Sequence, residues 1–276
     1  MNVTFWGTRG SIATPGPETV RYGGNTSCLG VTGDASDHLL ILDAGTGLRR
    51  LGASLAPQVA EIDLLLSHLH LDHIIGLGFF APLFRPDLTP RIWAPPATTS
   101  LLDRLGRYLS PPLFPIRLRD VGCQLELRDA PDRPFRCGEF SVRAESIIHP
   151  DPAVGYRVES DRASLTYLPD HEPALSPEFP SLLDWTSGAG LAAQADLLIH
   201  DAQYTSPEYQ ERIGWGHSSL DDAVAFADRV EARRLVFFHH DPSRDDDAID
   251  AMLQAGKRAS RGTVVLAASE GMSLDV

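Results

Sequence analysis

The sequence predicts an α/β protein of layered sheets and helices, read as one domain over residues 1–276. Three observations predict it. Short apolar runs recur along the chain, helical patterns fall between some of them, and polar side chains gather just past the ends of the runs.

The runs occupy residues 3–6, 39–42, 62–66, 140–148, 164–168, 197–199, 235–238 and 263–267. They are short and end in Gly, Asp or His, which suits strands better than helices. The clearest helix covers 221–229. It is opened by Ser218 and Ser219, each with an aspartate three residues on, as in a capping box. A second helix is predicted over 246–257.

Residues 82–134 differ, because ten of the 21 prolines fall there. Proline lacks an amide donor, so this part is expected to hold one helix, 98–108, among irregular loops rather than regular sheet. It reads either as a surface excursion or as a wall over an active site. No internal repeat, low-complexity tract or linker is evident.

Composition narrows the function classes. Apolar residues make up 43% and charged residues 22%, as in an ordinary globular protein. The formal charge is −13, from 37 acidic and 24 basic residues, which disfavours broad contact with nucleic-acid backbones. The three cysteines, Cys28, Cys123 and Cys137, form no CxxC pair and are expected to be buried thiols rather than disulfides or zinc ligands. No basic-then-apolar leader and no apolar run near ~18 residues is present, so a cytoplasmic setting away from membranes is expected.

The chemistry concentrates in Ser67-His68-Leu69-His70-Leu71-Asp72-His73. In an extended chain, residues two apart share a side, so His68 and His70 can aim at one point. Asp72 and His73, at the following turn, can face a second point. Four ligand-type side chains in six residues exceed what one tetrahedral ion needs from a local segment. Imidazole with carboxylate suits zinc, manganese or iron. His149, Asp170 and the doublet His239-His240 each follow an apolar run and would complete two metal sites at strand ends, the usual place for ligands in α/β sheets. An aspartate can bridge two cations and a water between them can be activated.

This pattern resembles the metallo-β-lactamase superfamily, whose HxHxDH signature is matched without a gap by His68, His70, Asp72 and His73. The resemblance implies a four-layer αββα sandwich. It implies two divalent metals, zinc first, with manganese or iron as alternatives. By that likeness His68, His70 and His149 hold one metal, Asp72, His73 and His239 the other, and Asp170 bridges. His239 is preferred to His240 because it directly follows the apolar run, and the doublet leaves that choice open. Asp43, in Asp43-Ala44-Gly45-Thr46-Gly47, matches the acidic motif that orients a ligand or loop.

Within the superfamily the sequence resembles the phosphodiesterase branch that includes ribonuclease Z and cyclic phosphodiesterases. Leu197-Leu198-Ile199-His200-Asp201-Ala202 and Gly216-His217-Ser218-Ser219 carry this likeness. It implies that His217 donates a proton, held by Asp201. The branch usually has glutamate where Asp201 stands, so the reach is shorter. Gly7-Thr8-Arg9-Gly10-Ser11, with Arg21 to Ser27, is similar to the branch's opening loop, making Arg9, Arg21 and Asn25 candidate phosphate contacts. Tight turns explain those glycines equally well.

The reading is a metal-dependent hydrolase acting on a small or cyclic phosphate diester, with a homodimer allowed. No basic Gly/Pro-rich arm for gripping tRNA is seen and the chain is acidic, so tRNA is not expected as a substrate. The alternatives are an acyl hydrolase on the same scaffold, acting on a lactone, thioester or β-lactam, and a metal-bearing ligand sensor or biosynthetic partner with little turnover.

Overall fold

A computed structural model describes residues 1–35, 37–174 and 186–276. Two seven-stranded sheets face each other among them. The first contains β1 (Asn2–Gly7), β2 (Cys28–Thr32), β3 (His38–Leu42), β4 (Glu61–Leu65), β5 (Arg91–Ala94), β6 (Glu126–Asp129) and, at its far edge, β14 (Ser273–Asp275), in the order β14-β1-β2-β3-β4-β5-β6. The second contains β7 (Phe135–Cys137), β8 (Phe140–Ile147), β9 (Ala153–Glu159), β10 (Ser164–Leu168), β11 (Leu197–Asp201), β12 (Arg234–Phe238) and β13 (Val264–Ala267), in reverse chain order.

Three apolar layers hold this arrangement. Between the sheets, Val3, Phe5, Leu40 and Leu65 meet Phe140, Tyr156, Tyr167 and Phe238, all buried. Outside the second sheet lie α6 (Leu220–Arg229) and α7 (Asp246–Ala259). In α6 the buried residues Leu220, Ala223, Val224, Phe226 and Ala227 recur at helical spacing, so one face seals onto the sheet while Asp221 and Arg229 face away. Ser219 caps this helix, accepting the Asp222 amide at 3.1 Å. Outside the first sheet, α1 (Leu48–Ala53) and α3 (Leu101–Gly106) cover Ile41, Leu64 and Ile92. The shorter helices are α2 (Leu71–Ile74), α4 (Ala189–Ala192) and α5 (Ser206–Gln210). The result is the expected αββα sandwich.

All eight predicted runs form strands, with ends moved by at most two residues. The expectation for 82–134 needs correction. Prolines 90, 95 and 96 bracket β5 without interrupting it, so its amides remain free to pair. β5 and β6 extend the first sheet in parallel register, and the edge position of β6 tolerates its charged side chains. The predicted helix 98–108 shortens to α3, because Ser100 caps it by accepting the Asp103 amide. All three cysteines are buried and free. No described helix is long and apolar enough to cross a membrane.

Candidate metal centre

Six strands aim their C-terminal ends at one rim of the sandwich. Asp43 follows β3, and His68 lies three residues past β4. His70 caps α2, which carries Asp72 and His73. His149, Asp170 and His239 follow β8, β10 and β12, and Asp201 ends β11. Both sheets therefore contribute, which is why Asp72 and His239, 167 positions apart in sequence, meet here.

Two groups result. His68, His70, His149 and Asp170 each offer a ligand atom within 4.8 Å of the others, as do Asp72, His73 and His239. His149 Nε2 lies 3.3 Å from His70 Nδ1, and His68 Nε2 lies 3.7 Å from Asp170 Oδ2. In the second group His239 Nε2 is 3.2 Å from Asp72 Oδ2 and 3.3 Å from His73 Nε2. Asp170 Oδ1 joins this group at 3.0 Å from His73 Nε2 and 3.3 Å from His239 Nε2. Asp170 thus touches both groups, one carboxylate oxygen to each.

The donor set fits a pair of divalent cations. His68 Nε2 and Asp170 Oδ1 are buried and make no hydrogen bond, which a bound ion would remedy. Burial, followed by the neighbouring imidazoles, pushes the His68 pKa well down and leaves it a neutral ligand. Burial works against the Asp170 carboxylate, but His239 and His73 outweigh it and hold it ionised far below the usual range. The same balance, with His73 and His239 as partners, lowers Asp72.

Other side chains orient these rings. Asp43 is wholly buried and receives His73 Nδ1 at 2.7 Å, Ser67 N at 2.7 Å, Ser67 Oγ at 2.8 Å and Tyr167 Oη at 2.8 Å. Gln203 Oε1 faces His239 Nδ1 at 2.8 Å, Asp151 faces His70 Nε2 at 2.8 Å, and the Gly216 carbonyl faces His149 Nδ1 at 3.1 Å. Such partners fix tautomer and ring angle. Ser67, Tyr167, Gln203 and Asp151 escaped sequence reasoning, since nothing in their local spacing marks them. Only Ser67, adjoining the histidine run, carried any signal.

His239 and His240 part company here. His239 adopts a left-handed backbone, φ 59°, which turns its ring into the centre immediately after β12. His240 turns the other way, donates from Nε2 to the Ala268 carbonyl at 2.9 Å, and is driven by burial to a pKa of about 3.

The structure does not bring Arg9, Arg21 or Asn25 to the centre. Arg9 is buried and donates to the carbonyls of Gly23, Asp241 and Arg244. Arg21 pairs with Asp246, Asp247 and Asp250, and Asn25 is held by Glu270. Their role as phosphate contacts is therefore corrected: Arg9 is shut away from solvent with only Nη2 unbonded, and Arg21 and Asn25 are engaged by carboxylates. The opening loop instead buttresses the ligands. The Ser11 amide donates to Asp72 Oδ2 at 2.8 Å, and a Cβ on Gly10 would fall 2.4 Å from the His239 ring. Close approach, not ligand cradling, requires that glycine.

His217 stacks on His239 with ring centroids 5.0 Å apart. Its Nδ1 meets Asp201 Oδ2 at 2.7 Å, so the shorter acid spans the gap. Burial lowers the His217 pKa, but Asp201, then Asp170 and Asp72, raise it to about 9. That lies above the ordinary imidazole value, because carboxylates dominate the field. Glu172 is fully buried and holds the turn that presents this histidine. It accepts Gly214 N at 2.8 Å, Gly216 N at 2.9 Å and Tyr209 Oη at 2.7 Å.

The profile of the β-lactamase superfamily domain matches residues 38–240, a span that runs from β3 to the end of the His239-His240 doublet. The chain belongs to that superfamily. Ribonuclease Z of Mycobacterium marinum is 27% identical over 88% of this chain and 87% of its own length. Among solved structures, the short form of human tRNase Z superposes with a TM-score of 0.68 at 20% identity, covering 100% of this chain and 99% of that one. Zinc-bound PqqB from Methylobacterium extorquens gives 0.71 at 20% identity over all of both chains. The superfamily member described here is accordingly a metal-dependent hydrolase. The expectation that tRNA is not a substrate is overturned by these ribonuclease relatives. Net charge describes the whole surface, and the field at a metal centre is set locally.

Proposed function

We propose that this chain is a two-metal phosphodiesterase. His68, His70, His149 and Asp170 would hold one cation, and Asp72, His73, His239 and Asp170 the other, zinc first, with manganese or iron as alternatives. Bound there, the pair supplies Lewis-acid polarisation of the phosphoryl group and activation of water. The chain's own residues do the rest. Asp170, touching both groups, positions the attacking side. Asp43, Gln203 and Asp151 keep the ligand rings from turning.

The His217–Asp201 pair carries the choice of phosphodiester over acyl substrate. With Nδ1 engaged by Asp201 at 2.7 Å, Nε2 is left to hand a proton to a departing alkoxide. The Asp201 carboxylate on Nδ1 favours the protonated ring. An alkoxide needs such an acid, whereas opening a strained lactone depends on it less. The substrate is a phosphate diester, either small or cyclic, or the diester of an RNA, which the ribonuclease Z relatives favour.

Metal analysis followed by turnover assays tests this reading. Protein loaded with zinc, manganese or iron should cleave bis(p-nitrophenyl) phosphate. A cyclic nucleotide and a 3′-extended tRNA then define the natural class. Lactone opening without cleavage of any diester, under every metal, would overturn the proposal in favour of an acyl hydrolase.

A further inference from the structure

We infer that a cavity beside His70 is a binding site for a nucleotidyl group, with Arg107 as its anion contact. A volume of about 400 Å³ opens here, within the range of small-molecule sites. It is lined by His70 and by Asp151, the carboxylate that holds His70 Nε2, so an occupant would lie beside His70 at the edge of the metal centre. The inference rests on the phosphodiesterase reading for its substrate class.

The walls come from three places that the fold alone brings together. The turn of the histidine run supplies Leu69 and Leu71, the residue just before β9 supplies Pro152, and the segment just after α3 supplies Tyr108. Leu71 is 59% exposed although it stands between two candidate ligands, which leaves an apolar surface for a partner to cover. Tyr108 is pinned by donating to the Ile75 carbonyl at 2.6 Å, so its ring is a fixed wall.

Charge distinguishes the two arginines on the rim. Arg104 gives Nη1 to the Pro95 carbonyl and Nη2 to Asp129, with only its buried Nε left without a partner. The Arg107 side chain has no hydrogen-bond or ion-pair partner among the described residues, while most other guanidinium groups of this acidic chain do. Asp151 is the one carboxylate lining the cavity, and it faces His70. A free guanidinium beside an apolar recess that adjoins His70 suits a ligand with an anion at one end and a flat apolar group at the other. A nucleotide has both. Its source can be a small nucleotide diester or the end of an RNA.

Calorimetric titration of the metal-loaded protein with adenosine monophosphate and, separately, inorganic phosphate tests the site. Arg107→Glu and Ala97→Phe are the probes, the second filling the cavity from an exposed wall position. Adenosine monophosphate should bind at least tenfold more weakly to each. Inorganic phosphate should bind Ala97→Phe as it binds the wild type. Equal affinity of all three proteins for the nucleotide, or equal losses for nucleotide and phosphate in Ala97→Phe, would overturn the inference. Variant-sensitive nucleotide binding without any diester turnover would keep the site and sink only the phosphodiesterase reading. Competition separates the sources. A 3′-extended RNA displacing the nucleotide better than a dinucleotide supports the site with an RNA occupant, and the reverse supports it with a small one.

Discussion

Replacing Asp43 with Asn removes a charge and one acceptor while keeping shape. Asn also tolerates the left-handed backbone that Asp43 adopts, φ 59°, so the turn itself should survive. Four donors converge on this carboxylate, three of them on Oδ2. If the amide oxygen takes the Oδ2 position, the new NH2 group faces the Ser67 amide, and one buried donor is left without an acceptor. That costs about 1–3 kcal/mol, and weakening the other three from charged to neutral bonds brings the total to about 2–4 kcal/mol. For a chain of this size the Tm of the metal-free protein should fall by roughly 5–15 °C. His73 also loses the partner that fixes its ring, so metal affinity should drop about 10- to 100-fold. Scanning calorimetry and metal titration of Asp43→Asn read both quantities. A Tm and a metal affinity indistinguishable from wild type would refute the view of Asp43 as the anchor of the centre.

Three further outcomes are expected. His217→Ala should lower turnover of an alkyl phosphodiester by about two to four orders of magnitude with metal content unchanged, and an undiminished rate would remove it as the acid. Glu172→Gln sets an amide against the Gly214 and Gly216 amides, so kcat should fall about 10- to 100-fold through misplacement of His217, with KM nearly constant; a change confined to KM would contradict this. Asp63 supplies the pH dependence. Burial raises its pKa, but hydrogen bonds from His38, Arg91 and Trp93 outweigh that and bring it to about 2. A depressed carboxylate stabilises the fold above its unfolded pKa and loses that contribution as pH falls through the folded value. The stability gap between wild type and Asp63→Asn should therefore shrink by about 2 kcal/mol between pH 5 and 2 in urea titrations, and a gap independent of pH would dismiss the mechanism.

Much of this was legible in the chain. Apolar runs bounded by Gly, Asp and His located the central strands, because a strand buried on both faces must be apolar throughout. Clustered histidines marked the rim, since ligand spacing is a local property. β2 and β9 were obscured by Gly30 and Gly155, and β5 by its flanking prolines. Ring-orienting partners such as Gln203 and Tyr167 are invisible in sequence, as their significance exists only once the sheets face each other. Arg9 misled for the same reason: its glycine-rich surroundings suggested ligand contact, but three carbonyls from distant segments claim its guanidinium.

The conformation of His239 sets the usefulness of this residue against the comfort of the chain. A side chain held at positive φ costs roughly 1–2 kcal/mol that glycine would not incur. His239→Gly should therefore yield a sturdier metal-free protein than His239→Ala, even though both abolish the same donor. Lineages that abandoned catalysis would be released from this tension, and glycine or asparagine at this corner would be the trace that they left.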